Sequence, residues 1–105
     1  MSRVLEVWSA EPMQGVSDED ARTRLGEIKK LILSLGASEV LFLDGWFGKN
    51  DSMFTMVITF ENAASFGAIH GDMQDGTAWK NAMKTFQASP KLNLTFGSTY
   101  FETDI

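Results

Sequence analysis

Apolar and polar positions along the chain switch between two periods, and the switches mark the elements. The densest apolar run is Met53–Phe60 (MFTMVITF), which leads directly into ENAASFGAIH. Its alternation puts Phe54, Met56, Ile58 and Phe60 on one face and Met53, Thr55, Val57 and Thr59 on the other, the period of two that a strand requires. Val4–Ala10 alternates in the same way: Leu5, Val7 and Ser9 point one way, and Val4, Glu6, Trp8 and Ala10 the other. Glu11-Pro12 is expected to end that strand, because proline has no N–H to give to a ladder. Glu39–Phe47 predicts a further strand, with Leu41, Leu43 and Phe47 opposite Val40, Phe42, Asp44 and Trp46. The turn-forming run 48–52 joins it to Met53–Phe60 as a hairpin.

Between the first two strands the period lengthens. Ala21, Leu25, Ile28, Ile32 and Leu35 recur in steps of four and three, one face of a helix. Ser17 is placed to cap it, Asp18, Glu19 and Asp20 suit its positive end, and Gly36 is a natural stop. Asn62 is expected to cap a second helix carrying Phe66 and Ile69. Breaks are expected at Gly71-Asp72 and Asp75-Gly76, after which Thr77 starts a piece striped by Trp79, Ala82, Met83 and Phe86. Ser89-Pro90 closes it, and Leu92–Glu102 predicts the last strand, with a bend or bulge at Gly97.

The order is β-α-β-β-α-β, the split βαβ plan of the ferredoxin-like α+β fold. It predicts a four-stranded antiparallel sheet with two helices on one face, strands one and three central and strands two and four at the edges. The aliphatic sets fit beneath the helices. The opposite face is then expected to collect Glu6, Trp8, Phe42, Asp44, Trp46, Met53, Thr55, Val57 and part of Asn93–Phe101. Such a face is too apolar to leave in water, and pairing it with a second copy through the sheets buries it.

Composition narrows the function without naming it. One domain over residues 1–105 suits a chain of 105 residues, and 44 % of them are hydrophobic. No stretch approaches the roughly 20 apolar residues of a membrane span, and the first residues carry no leader-like apolar segment. The chain contains no cysteine, which removes disulfides and thiolate chemistry; a cytoplasmic location is the simplest expectation. A formal net charge of −5 with scattered basic residues argues against binding nucleic acid through its phosphates. The RNA-recognition fold shares this element order, but Asn50-Asp51-Ser52-Met53 stands where its basic and glycine residues belong. One histidine and scattered acids make no metal set, and no phosphate-binding glycine loop occurs.

The element order, the FTMVITFEN strand–helix junction and the aromatic face together resemble the dimeric α/β-barrel superfamily, over nearly the whole chain from RVLEVWSAEPM to LNLTFGSTYFETDI. That superfamily includes proteins of the antibiotic-biosynthesis-monooxygenase type, stress-responsive barrel proteins and haem-degrading monooxygenases. The resemblance implies a homodimer formed through the sheets and a pocket between sheet and helices or in the barrel interior. It also implies that His70, on the second helix, faces the pocket as a base or as a haem ligand. Haem degradation further wants an asparagine on strand one, where this chain has Glu6 and Trp8; Trp79 is the one match to the family's tryptophan. The cyclase-like members' strand-one histidine is missing as well. No cofactor is therefore expected.

Read from the residues themselves, His70 is the acid–base candidate, because imidazole titrates near neutral pH; the plain alternative is a surface histidine near a helix end. Glu6 and Asp44 are candidates for a carboxylate pair flanking a ligand, or for ion pairs at the dimer interface. Trp8, Trp46 and Trp79 offer flat walls for an aromatic ligand, or packing. Tyr100 is a candidate hydrogen-bond donor, and Gly71–Gly76 a candidate lid. The expected function is a small dimeric barrel that binds an aromatic or polyketide-like molecule, with cofactor-free oxygenation or proton transfer as its chemistry. The competing expectation is a non-catalytic dimeric module that binds a small ligand or a protein. Haem binding and RNA recognition rank below both.

Overall fold

The computed structural model describes residues 2–44, 54–103 and 105. The elements are β1 (Val4–Pro12), α1 (Asp18–Ser34), β2 (Glu39–Asp44), β3 (Phe54–Phe60), α2 (Ala63–Asp75), α3 (Thr77–Ala88) and β4 (Leu92–Phe101). The strands form one antiparallel sheet in the order β2-β3-β1-β4. This is the expected ferredoxin-like α+β arrangement, with β1 and β3 central. The predicted hairpin turn, Trp46, Phe47 and Met53 lie outside the described residues.

The caps form as the sequence predicts. Ser17 Oγ accepts from the Asp20 amide at 3.1 Å, and Asn62 Oδ1 accepts from the Ser65 amide at 2.9 Å. Gly36 takes a φ of 115°, the left-handed conformation that ends a helix at least cost without a side chain. The break between α2 and α3 falls at Gly76, where an added Cβ would collide with the Asp72 carbonyl. The break expected at Gly71 does not occur. α2 runs through it, so the 71–76 segment is helix to Asp75 rather than a lid.

β1 also continues past the expected stop. At Pro12 the strand has a partner on β4 only, since β3 reaches no further than the residue opposite Ala10. A proline is tolerated where one side of the strand asks for no hydrogen bond. The irregularity predicted at Gly97 is real: the β1–β4 register shifts between Val7 and Trp8. A Cβ on Gly97 would stand 2.9 Å from the Val7 carbonyl oxygen, so the backbones approach here more closely than any other residue allows.

The core lies between the sheet and the helices. Val4, Val40, Met56, Ile58 and Phe60 from the sheet meet Ile28 and Ile32 from α1 and Ile69 from α2. A smaller cluster of Ala10, Ala21, Leu25 and Phe54 continues it toward the β3 start. α1 is fixed by five buried residues, whereas α3 has none that is fully buried. α3 covers the sheet with Trp79 and Phe86 only partly buried against the core.

The register corrects the expected faces. Trp8 pairs with Met56 and Phe96, Glu6 with Ile58, and Phe42 with Met56. Glu6, Trp8, Phe42 and Asp44 therefore share the helix-covered face with the core. The open face carries Leu5, Val7, Leu41, Leu43, Thr55, Val57 and Tyr100. Alternation within each strand was legible, but alternation alone does not say which of two mixed faces the helices cover.

Candidate functional site

Glu6 is the polar residue that the core is built to hold. It is 2 % exposed, on the central strand β1, among aliphatic neighbours. A buried carboxylate is tolerable only with partners, and both of its oxygens have one. The Trp8 indole Nε1–H donates to Oε1 at 2.5 Å, and Oε2 lies 2.7 Å from His70 Nε2. With Glu6 as a carboxylate, Oε2 can only accept, so the Nε2 position carries the proton of this hydrogen bond and Nδ1 is the ring's other nitrogen. Nδ1 has no hydrogen-bond partner among the described residues.

The imidazole is also fixed from its faces. Phe66 lies one helical turn before His70 on α2, and the two ring centroids are 4.4 Å apart at 49°. Phe60, fully buried at the end of β3, meets Phe66 edge-on at 5.1 Å. The ring thus rests on an aromatic stack anchored in the core while its Nε2 edge is tied to the sheet. Trp8 is held in turn by Phe96 of β4, edge-on at 5.4 Å.

Glu6, Trp8 and His70 line a cavity of about 390 Å³ between the sheet and the helices, within the usual range for small-molecule sites. Its walls are Trp8, Met56 and Ile58 from the sheet, Ile28 and Ile32 from α1, and Met73, Trp79, Met83 and Phe86 from α2 and α3, with Leu94 at the β4 edge. Among the described residues, Glu6 and His70 are its ionisable lining groups, and no lysine or arginine lines it. Methionine side chains adapt their shape, so the three here suit a wall that conforms to a ligand.

The other expected site residues are placed elsewhere or differently. Asp44 is not paired with Glu6. It borders a separate depression of about 230 Å³ with Leu25, Phe42 and Phe54, where Arg22 Nη2 lies 3.5 Å from its carboxylate. Arg22 also bonds Asp18 at 2.7 Å and lies over the Phe54 ring. These acids hold its guanidinium pKa above the ordinary value. Tyr100 stands opposite Leu5 on the open face, away from the cavity. Trp79 does line the cavity, as part of the α3 stripe. Trp46 lies outside the described residues.

Sequence reasoning missed the Glu6–His70 partnership because 64 positions separate the two residues. The one available signal was a glutamate inside the apolar alternation of β1, which has to be answered by a partner once that face is buried. Arg24 was missed for the same reason. It is 8 % exposed on the buried face of α1, lies over the Phe86 ring at 4.5 Å, and donates to the Ser89 carbonyl at 2.9 Å. It therefore clamps the C-terminal end of α3, where the cavity wall ends.

Among the described residues no helix is long and apolar enough to cross a membrane. No protein-family model matches the chain, and no curated protein matches it significantly. Among solved structures, a dimeric ferredoxin-like protein from an uncultured marine organism superposes with a TM-score of 0.66, over 100 % of this chain and 99 % of that one, at 17 % identity. The likeness is one of fold. It places the chain in the ferredoxin-like class, and the class carries no chemistry of its own.

Proposed function

We propose that this protein is a homodimeric small-molecule-binding barrel whose cavity takes a planar aromatic or polyketide-like molecule, and that His70 draws a proton from it. The observation that carries this reading is the Glu6–His70 pair inside an apolar cavity. Glu6 orients the imidazole and stabilises the imidazolium that proton transfer creates, and Nδ1 is the atom that takes the proton. An apolar surround strengthens that electrostatic partnership, since little water screens it. The carbanion formed is reprotonated at another position, as in isomerases and cyclases. Where the ring is electron-rich enough, it supplies electrons to dioxygen itself, which is cofactor-free monooxygenation.

The open sheet face supports the dimer. Leu41, Val57 and Val7 line up across β2, β3 and β1, with Leu43 and Tyr100 nearby. Leu41, Leu43 and Tyr100 are 45 %, 50 % and 56 % exposed in the single chain. The structural neighbour is itself dimeric. A charge at the centre of that row, Val57→Lys, is expected to give a folded monomer by light scattering. A Val57→Lys variant that stays dimeric places the interface elsewhere.

The chemistry is tested with 2-tetralone, which joins an aromatic ring to an acidic C–H beside a carbonyl. The protein is expected to accelerate deuterium exchange at that carbon, and His70→Ala to abolish the acceleration while the dimer persists. Binding without exchange in the wild type returns the protein to the competing reading, a non-catalytic ligand-binding module.

A further inference from the structure

We infer that the cavity selects an uncharged planar ligand carrying a hydroxyl donor, of the phenol or enol class, and rejects the carboxylate built on the same ring. The inference rests on the reading of His70 as the base and adds the charge and hydrogen-bond type of what it accepts.

Both Glu6 oxygens are engaged, Oε1 by Trp8 Nε1–H and Oε2 by His70 Nε2. What the pair leaves for a ligand is His70 Nδ1, an acceptor when the imidazole is neutral. A hydroxyl supplies one donor and is matched. A carboxylate supplies none, would face the Glu6 charge, and finds no lysine or arginine among the described residues of the wall to balance it.

Glu6 sets this polarity, and the Glu6→Gln variant reverses it. The amide offers one acceptor and one donor group to two neighbours that both donate. Trp8 can only donate, so the amide oxygen stays with Trp8 and the NH₂ turns to His70. His70 then accepts at Nε2 and carries its proton on Nδ1, which becomes a donor suited to a carboxylate oxygen.

The test is calorimetric titration with 2-naphthol and 2-naphthoate, with the ¹⁵N signals of the lone histidine followed alongside. In the wild type, 2-naphthol is expected to bind about tenfold or more tighter than 2-naphthoate. In Glu6→Gln, 2-naphthoate is expected to overtake it. If 2-naphthoate binds the wild type as well as 2-naphthol while the His70 signals move, the selection is wrong and the base reading stands. An unchanged order in Glu6→Gln also overturns the role given to Glu6. If no ring compound moves the His70 signals, the site reading falls and this inference falls with it.

Discussion

His70 Nε2 and Glu6 Oε2 stand 2.7 Å apart, joining the middle of α2 to the central strand of the sheet. The carboxylate is buried and the imidazole is half-exposed. The pair therefore has an inner member held within the core and an outer member at the border of the cavity. Trp8 completes it by occupying the other carboxylate oxygen. The expected acid–base residue thus has a partner that positions it, as a general base requires.

The Trp8 contact can be weighed by itself. Trp8→Phe keeps an aromatic ring against Phe96 and deletes the indole N–H. Glu6 Oε1 then lacks a donor in a buried site, and stability is expected to fall by about 1–3 kcal/mol. Urea denaturation checks this, with a lower midpoint and an unchanged slope.

Phe60 supports the site from below. It is fully buried, and Phe66, which stacks on His70, rests against it. Phe60→Ala is expected to cost about 3–5 kcal/mol, since the cavity it leaves closes only in part. The surviving folded fraction is expected to hold His70 less firmly, seen as broadened imidazole signals.

Arg24 is the corresponding support for α3. Arg24→Gln loses the charged bond to the Ser89 carbonyl and the contact with Phe86. The expected cost is about 1.5–3 kcal/mol, the range for hydrogen bonds to charged groups. Amide exchange is expected to speed up through Thr77–Ala88 more than through α1, because α3 has no fully buried residue to hold it otherwise.

An ion pair joins the outer ends of β1 and β4. Arg3 Nη2 lies 2.7 Å from Glu102 Oε2, and these bonds hold the Glu102 carboxyl below its ordinary pKa of 4.5. The folded protein then keeps this charge where the unfolded chain takes up a proton. The stabilisation is complete above 4.5 and disappears as pH falls through the lowered value. Melting temperatures of wild type and Glu102→Gln are expected to differ slightly at pH 6 and to converge in stronger acid. The pair is exposed, so the difference stays small and shrinks further in high salt.

The fold was legible in the sequence because its signals are local. Alternation marked the strands, the Ser17 and Asn62 caps marked helix starts, and Gly97 marked the bulge. The faces were not legible, because Glu6, Trp8 and Phe42 look equally suited to an open mixed face and to a polar network within a core. Helix packing and strand register decide between these, and both are long-range. Asp44 was grouped with Glu6 on strand parity alone, whereas α1 brings Arg22 to it instead. His70 was legible as a residue, but its partner was not, since only folding brings Glu6 within reach.

The most direct measurement is the tautomer of His70 in the ligand-free protein, read by ¹⁵N NMR at a pH where the imidazole is neutral. One histidine in the chain makes the assignment unambiguous. A proton on Nε2, bound to Glu6, with Nδ1 bare is the result this account predicts. A proton on Nδ1, or the rapid tautomer exchange of a free surface imidazole, contradicts it.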